Sequence, residues 1–260
     1  MKYGYDGLLW RLQTLIMKFS ALHTALVAIV LFLTACSKDD KSEDVPKSDK
    51  IKTYTETVNS AILGNYSTTY VLSYDQEGRL TRMADQLIPG NKFEFAYKQG
   101  GFAFDILTSG NVIIHEEVFV NGTLMDSTIQ YNDEGDTTSE KYIYNGDLLV
   151  KLNEYMHTSS GNILDNVTTY TYNSDESLHT ESDGYYTITY TYNSEVWNTL
   201  NLFPLYHSPS RRLPSRETYT SGSEEITVDH TYAFDTEKRL ISDHAVVSSG
   251  DEVTKTFTYE

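Results

Sequence analysis

The sequence predicts an all-β protein in which about sixteen short strands follow one another as a long antiparallel meander. Three observations predict this fold class. The composition favours pleated sheet, since 21 of the 260 residues are Tyr and 10 are Phe. Alternating segments recur at a spacing of about twelve residues, and turn signals separate them. Beyond residue 35 no long segment is rich in the favoured helix formers Ala and Leu.

One strand motif recurs beyond residue 50. A strand ends in Tyr, an Asn or Asp with a nearby Gly or Glu follows, and the next strand begins with an apolar residue. Copies occur at 70–80, 142–146, 170–173, 190–193 and 232–240. Asn121-Gly122 and Asn145-Gly146 add two-residue hairpin signals, because both positions of such a turn need positive φ, which Asn and Gly tolerate. Adjacent strands are therefore expected to pair antiparallel.

The two faces of the strands differ in composition. In the segment 186–192 the aromatic side chains and Ile188 fall on one face, and every Thr falls on the other. The same separation recurs at 230–234 and 256–259. The sheet is expected to bury its aromatic face by curling into a barrel-like form or by packing on a second sheet. Thr does not provide the apolar outer band of a membrane-spanning barrel, so we expect a soluble β domain.

One non-strand insertion is expected near residues 194–213. Pro204, Pro209 and the adjacent Pro214 are three of the five prolines in the chain. Proline does not fit within a continuous sheet, because it cannot donate to the strand ladder. We expect a short helical turn and a crossing loop that plugs or caps the sheet.

The first 35 residues predict a signal peptide. Lys18 provides a positive n-region after Met17, a mostly apolar run covers 21–33, and small residues precede Cys36. The apolar run is shorter than the roughly 20 residues that a membrane span needs. The segment before Met17 does not look like an n-region, so Met17 is the expected true start.

The block Leu33-Thr34-Ala35-Cys36 resembles the bacterial lipobox. This resemblance implies that Cys36 is acylated and becomes the first residue of the mature protein. Since Cys36 is the single cysteine, the mature chain forms no intramolecular disulfide. We expect residues 36–50 to be a lipidated flexible tether and 51–260 to be a single all-β domain.

The four residues after Cys36, Ser-Lys-Asp-Asp at 37–40, resemble the acidic surface-export signal of Bacteroidota lipoproteins. The alternative interpretation is an ordinary solvated linker. The expected location is accordingly the outer membrane, at its periplasmic side or exposed on the cell surface, with the lipid on Cys36 as the membrane contact.

The charge and the motifs exclude several function classes. A net charge of −17 argues against nucleic acid as a partner, because phosphate backbones are bound by clustered Lys and Arg. The sequence contains no nucleophile elbow, no phosphate-cradling glycine loop and no paired-His metalloprotease motif. We expect no catalytic residues and no cofactor, and therefore no enzyme.

Two groups of residues were considered as metal ligands. In a strand, His115 and Glu117 share one face while Glu116 points away, so a structural role is preferred for this triplet. The acidic residues at 75–77 and 133–136 have the oxygens that calcium prefers but lack the spacing of a calcium loop. Turn formation explains them better, and we expect no metal site.

The insertion supplies the candidate ligand-binding residues. These are Trp197, Tyr206, His207, Arg211 and Arg212. Flat aromatic rings stack on sugars, and a basic pair in an acidic protein stands out on a loop of the kind that often carries function. The alternative is a hydrophobic plug whose arginines meet surface carboxylates. The strand tyrosines are expected to be core.

Residues 52–260 resemble a family of Bacteroides lipoproteins of unknown function that is described as porin-like in fold. The resemblance rests on the YTYN strand motifs, on 201–206 and 212–215, and on the Thr-Phe-Thr-Tyr ending. The strand motifs also resemble the Tyr-Asp repeats of bacterial surface shells, although the copies here are irregular and too few to enclose a cargo. The resemblance implies fold and location, and it implies no chemistry.

Three functions therefore remain open for the domain, which we expect to be monomeric. The first is a non-enzymatic binding module for a glycan or a peptide. The second is a structural or adhesive surface protein without a small ligand. The third is a glycoside hydrolase or another hydrolase. A tyrosine-lined sheet open to solvent favours binding, a fully covered tyrosine face favours a structural role, and two facing carboxylates in a cleft favour a hydrolase.

Overall fold

The structure is a computed structural model that describes residues 50–62, 64–193 and 212–260. Within these residues there is no helix with the length and apolar character of a membrane span. The strands, in chain order, are β1 (Ile51–Ser60), β2 (Gly64–Tyr74), β3 (Leu80–Asp85), β4 (Lys92–Lys98), β5 (Gly101–Thr108), β6 (Asn111–Asn121), β7 (Leu124–Asn132), β8 (Thr137–Asn145), β9 (Leu148–Thr158), β10 (Gly161–Tyr172), β11 (Leu178–Ser182), β12 (Thr187–Thr191), β13 (Arg216–Ser221), β14 (Glu224–Phe234), β15 (Leu240–Val247) and β16 (Glu252–Tyr259).

The sixteen strands form one closed antiparallel barrel. Each strand pairs with its neighbours in the chain, and β1 pairs with β16, with Tyr54 opposite Phe257. The predicted fold class, strand number and meander are confirmed, and barrel closure is how the sheet buries its aromatic face. We call the end where β1 begins and β16 ends the proximal end. The opposite end, which holds the β1–β2 turn and every second turn after it, is the distal end.

The aromatic face of the sheet lies inside the barrel. Tyr54 stacks on Phe257 at 5.5 Å and on Tyr70 at 5.9 Å between ring centroids. On the outer face of the same strands, Thr53 bonds Thr258 at 2.6 Å. The predicted separation of aromatic and hydroxyl faces is therefore confirmed.

The outer face suits water. Besides its threonine pairs, it carries ion pairs such as Lys98 with Glu117 at 3.1 Å and Lys141 with Asp126 at 2.5 Å. A hydrocarbon environment would leave these hydroxyl and charged groups without solvation. The described outer surface therefore matches the polar exterior that the sequence predicts.

The barrel interior has two unlike halves. Strands β2 to β6 pack large apolar side chains closely, and Phe102 and Phe104 are each 2% exposed. Strands β9 to β13 carry a smaller cluster around Leu178, in which the surrounding tyrosines are only partly buried. The first half forms a solid core, while solvent reaches the inner face of the second half.

The recurring Tyr motif closes the proximal end. The tyrosine at the end of one strand donates its hydroxyl to a backbone carbonyl at the start of the preceding strand. The bonds are Tyr74 to Ile51, Tyr97 to Leu80, Tyr172 to Leu149, Tyr192 to Leu178, Tyr232 to Pro214 and Tyr259 to Leu240, at 2.6–3.0 Å. The apolar residue at the start of the next strand is buried in these copies, as Leu240 at 0% and Leu80 at 1% exposure illustrate. Each copy of the sequence repeat thus places a hydrogen-bonded tyrosine over a strand start, and these tyrosines together close the proximal end. We call them the sealing tyrosines.

Two proximal turns are stabilised by the same arginine–aspartate contact. Arg79 donates its backbone N–H and its Nε to the carboxylate of Asp75, and Arg239 does the same with Asp235. The Arg239 guanidinium lies 4.5 Å from the ring centre of Tyr259. Each arginine therefore fixes its turn and covers a sealing tyrosine, which explains the Asp and Arg at these copies of the motif.

The Asn-Gly hairpins form where they were predicted, but with a different turn. Asn121 ends β6 and pairs with Leu124, so the two loop residues are Gly122 and Thr123. Gly122 has φ of +65°, whereas Asn121 and Thr123 are not in the positive-φ region. A glycine with positive φ at the first central position is the type II′ pattern. The prediction that both Asn and Gly occupy the turn was wrong.

Candidate functional site in the barrel interior

Acidic side chains interrupt the aromatic inner face. They lie on inward positions of their strands, and the strand register places two of them directly opposite each other, Glu140 and Glu154 across β8 and β9. We call this set the carboxyl belt. Its members are Glu56, Glu116, Glu140, Glu154, Glu181, Glu217 and Asp243.

One part of the belt has basic side chains beside it, two for three carboxyls. Nδ1 of His230 lies 2.9 Å from Oδ1 of Asp243, and Nε2 lies 3.6 Å from Oε1 of Glu217. Burial alone would lower the pKa of His230, but these two carboxylates outweigh it and raise the pKa to about 9. Lys255 is opposite Glu56 in the register of β1 and β16. Strands β13 to β1 therefore hold partly compensated charges.

The other part of the belt has no basic partner. Glu116, Glu140, Glu154 and Glu181 form no ion pair among the described residues. Three of them accept hydrogen bonds from neutral groups: Glu140 from Tyr142 and Thr128, Glu154 from Asn166 at 2.5 Å, and Glu181 from Tyr190 at 3.2 Å. We call these four residues the unpaired carboxyls.

Glu116 is the extreme case among the unpaired carboxyls. It is 7% exposed, and it forms no hydrogen bond in the part of the chain that the structure describes. Its register partner on β5 is Phe104, so one neighbouring strand offers it only a ring. A carboxyl buried in this way is costly when charged.

Burial shifts the titration of the unpaired carboxyls upward. It raises the pKa of Glu181 to about 7, although the Tyr190 hydroxyl opposes the shift. Burial and the nearby Glu140 carboxyl raise the pKa of Glu116 well above its usual range. Burial also raises the pKa values of Glu140 and Glu154. Part of this set is therefore protonated at neutral pH.

Solvent reaches two of the unpaired carboxyls, Glu140 and Glu154, from the distal end. The next inward residues beyond Glu140 and Glu154 are Thr138 and Met156, which pair with each other and are both exposed. Ile163, opposite Met156 on β10, is 55% exposed. Apolar side chains thus line the mouth above the acidic interior.

More apolar side chains stand on the distal turns. Leu87 is 82% and Tyr185 75% exposed, and Ile62, Ile88 and Val112 are also exposed. The distal end is therefore an apolar rim, in contrast to the sealed proximal end.

Most of the predicted site residues fall outside the described residues. These are Cys36, Trp197, Tyr206, His207 and Arg211, together with the predicted insertion up to residue 211. Arg212 is described, and its Nη1 lies 2.9 Å from Oδ2 of Asp175 at the proximal end. The next residue, Leu213, belongs to the buried core. Arg212 thus contacts a surface carboxylate, as the alternative interpretation of the insertion expects, and it is not brought to the carboxyl belt.

The structural interpretations of the other acidic motifs agree with their geometry. Nδ1 of His115 lies 2.6 Å from Oδ1 of Asp105 on the outer face, while Glu116 points inward. The acid Asp75 holds its own turn by accepting a hydrogen bond from the backbone N–H of Arg79, and in the other turn the backbone N–H of Asp136 donates to Oδ1 of Asn132. Among the described residues there is no group of three or more metal-ligating side chains.

The carboxyl belt was not predicted from the sequence, although a signal for it exists. Glutamate stands two residues from an inward tyrosine in Tyr54-x-Glu56, Glu140-x-Tyr142 and Glu217-x-Tyr219. A spacing of two places both residues on the same strand face. In each case the tyrosine donates its hydroxyl to that glutamate. A glutamate in phase with the aromatic face was therefore the readable sign of an inward carboxyl.

Comparison with solved structures agrees with the fold. The barrel is similar to the crystal structure of a porin-like protein from Bacteroides uniformis, with a TM-score of 0.60 and 17% sequence identity. The match covers 83% of this chain and 100% of that chain. Crystal structures of TcdB2-TccC3 with and without Cdc42 align at TM-scores of only 0.21 and 0.22, with 10% and 11% identity, over 75% and 76% of this chain and 13% and 14% of theirs. No family model and no curated protein matches the chain.

Proposed function

We propose that this chain is an envelope lipoprotein whose barrel acts as a non-enzymatic binding module, with the inner face of β8 to β12 as its binding surface. The observation that carries the proposal is the half-buried wall of tyrosines and unpaired carboxyls that is open at the distal end. Glycans and peptides are the ligand classes we favour, because carboxylates accept hydrogen bonds from hydroxyl and amide groups and tyrosine rings stack on flat apolar faces.

The unequal packing of the interior supports binding over a purely structural role. A barrel that only needed stability would gain from apolar packing throughout, as in its β2 to β6 half. Buried carboxyls without basic partners instead lower stability. Retaining them on one wall is consistent with a use for their charge.

The same wall carries an alternative, hydrolysis of a glycan. Glu140 and Glu154 pair directly across two strands, and cross-strand neighbours have Cβ atoms roughly 5 Å apart. Retaining glycosidases use two carboxyl groups about 5 Å apart, a separation that glutamate side chains on neighbouring Cβ atoms can adopt. Release of new reducing ends from a bound glycan would establish this alternative.

The proposed location places the barrel in water, held to the membrane by its lipid. The described chain starts at the proximal end, where the Lys50 carbonyl accepts a hydrogen bond from the backbone N–H of Glu260. A tether entering there leaves the open distal end facing away from the bilayer. A monomer is sufficient for this arrangement.

The substitution Cys36→Ala tests the anchor. We expect the variant to incorporate no radiolabelled palmitate and either to leave the membrane fraction or to keep its signal peptide unprocessed, because a polar outer face provides no hold on lipid. The unchanged chain, expressed in parallel in the same host, is the labelled control. A variant that has lost its signal peptide and still stays in the membrane fraction after a high-salt wash would contradict the anchor.

Calorimetric titration of the detergent-solubilised chain with panels of glycans and peptides tests the binding surface. We expect at least one saturable ligand. Thr138→Trp fills the distal mouth and is expected to abolish that binding, whereas Thr231→Trp makes the same change at an exposed outward position on β14 and is expected to leave it intact. No saturable ligand, or equal effects of the two substitutions, would contradict the proposed surface.

A further inference from the structure

We infer that the unpaired carboxyls form a binding site for an alkylammonium group, with the ammonium held by Glu116 and Glu140 and the alkyl chain lying along the apolar mouth formed by Met156 and Ile163. This inference rests on the proposed function, extends its binding surface to Glu116 on the nearby strand β6 and names the ligand chemistry of the extended surface.

Basic side chains accompany only one part of the carboxyl belt. Glu217 and Asp243 share His230, and Glu56 faces Lys255, so the belt supplies its own cations on that side. Between β6 and β11, three of the four unpaired carboxyls receive only neutral donors, and Glu116 receives none among the described residues. Negative charge is added near the mouth, because Asp165 and Asp183 act electrostatically on Glu154. A bound cation would balance the negative charge of the unpaired carboxyls.

Glu116 supplies the second argument, independent of the clustering. It is almost fully buried and makes no hydrogen bond to the described residues, unlike every other unpaired carboxyl. Its carboxyl oxygens are not fully buried, so a ligand can replace the solvent that they contact. An ammonium between Glu116 and Glu140 would satisfy both carboxyls, since it donates three hydrogen bonds.

The surroundings favour an organic cation. The described residues place no three ligating side chains together for a metal ion. Phe104 lies opposite Glu116, and Tyr142 contacts Glu140, so aromatic rings stand beside both carboxyls. Rings attract ammonium groups through cation–π contacts. The exposed thioether of Met156 and the side chain of Ile163 then offer apolar contact to methylene groups.

Two sources share this chemistry, a free polyamine and the lysine side chain of a peptide. The test is calorimetric titration of the detergent-solubilised full chain at pH 7 with spermidine, with a short peptide containing a single lysine, and with sorbitol as a neutral solute. We expect at least one amine to bind saturably, its identity telling the sources apart, and sorbitol to give no signal. Binding is expected to release protons, measured in two buffers of different ionisation enthalpy, because carboxyls that are partly protonated must ionise to hold the ammonium.

Paired variants separate the interior site from the acidic surface. Glu116→Gln is expected to weaken the amine by roughly tenfold or more, the usual scale for losing a charged hydrogen-bond partner. Glu117→Gln changes the neighbouring outward glutamate, which pairs with Lys98, and is expected to leave the affinity unchanged.

Three results would overturn the inference: no amine binding, binding without proton release, or equal effects of the two substitutions. If a glycan binds but no amine does, the proposed function stands and the ammonium site is wrong. If the amine binds and Thr138→Trp blocks its binding, both the proposed function and the ammonium site are supported. If amines bind but Thr138→Trp blocks neither amine nor glycan, the interior is not the binding surface and both fail.

Discussion

Raising the pH from 5 to 9 is expected to lower the free energy of unfolding of the barrel by several kcal/mol. Burial raises the pKa of Glu181 from 4.5 to about 7 in the folded state. Between these values the folded chain binds more protons than the unfolded chain, so stability falls as the pH rises. At 1.36 kcal/mol for each pKa unit, Glu181 contributes roughly 3 kcal/mol to this loss.

His230 extends the loss to higher pH. Its pKa is raised from 6.5 to about 9 by its two carboxylate partners against the effect of burial. The stabilisation that it provides is complete below pH 6.5 and is lost as the pH rises through 9, which is again roughly 3 kcal/mol. Glu116, Glu140 and Glu154 have raised pKa values and act in the same direction as Glu181.

Carboxyl groups whose pKa is lowered in the folded state have the opposite effect on stability, and they act below pH 5. Burial would raise the pKa of Glu217, but His230 lowers it overall, so its contribution is lost only as the pH falls below 4.5. The Lys141 contact lowers the pKa of Asp126, which likewise acts on the acid side.

Urea unfolding at pH 5, 7 and 9 measures the effect. Glu181→Gln is expected to make the fall in the free energy of unfolding between pH 5 and 7 smaller and to leave the fall between pH 7 and 9 in place. Glu117→Gln is expected to leave the dependence of stability on pH unchanged. A stability that is constant or that rises from pH 5 to 9 would contradict the buried placement of the carboxyl belt.

Gly101→Ala is expected to destabilise the barrel by about 3 kcal/mol or more, the upper range for overpacking a tight contact. A Cβ at residue 101 would lie 1.9 Å from the carbonyl oxygen of Val118 on β6, far inside van der Waals contact. Val118 is 0% exposed, so this backbone cannot shift without disturbing the aromatic core.

The preceding glycine is the matched control for this substitution. Gly100 has φ of +80°, and a Cβ there would meet no atom within 4 Å. Gly100→Ala therefore carries only the backbone strain of the left-handed region, about 1 kcal/mol. Thermal unfolding of the two variants compares them directly. Equal losses of stability would show that β5 and β6 do not approach as closely as the barrel requires.

The faces and the number of the strands were predictable because both follow from local patterns. A period of two separates Tyr from Thr in 186–192 whatever the sheet packs against. Closure was not predictable in the same way, since the pairing of β1 with β16 joins residues as distant as Thr53 and Thr258. An aromatic face buried against a second sheet would give the same alternation along each strand.

The carboxyl belt was harder to predict from the sequence than the strand faces. Tyr54-x-Glu56 shows that Glu56 shares the aromatic face, but which glutamates meet depends on the stagger between strands. That stagger is set by hairpin lengths and by bulges, such as the irregularity between Leu164 and Asn166. The tyrosine seal is similar: Tyr172 and Leu149 are visible as motif residues, yet the bond between them spans a hairpin whose register the sequence does not specify.

A pH titration of the glutamate side-chain carboxyls by carbon-13 NMR tests the central claim most directly, because it reports each member of the belt by its own signal. The enclosed barrel predicts that Glu181 titrates near pH 7 and that Glu116, Glu140 and Glu154 titrate above the ordinary value of 4.5. If all four titrated at or below 4.5, water or basic groups would solvate them, and the acidic half of the barrel interior would not be the enclosed binding surface proposed for this protein.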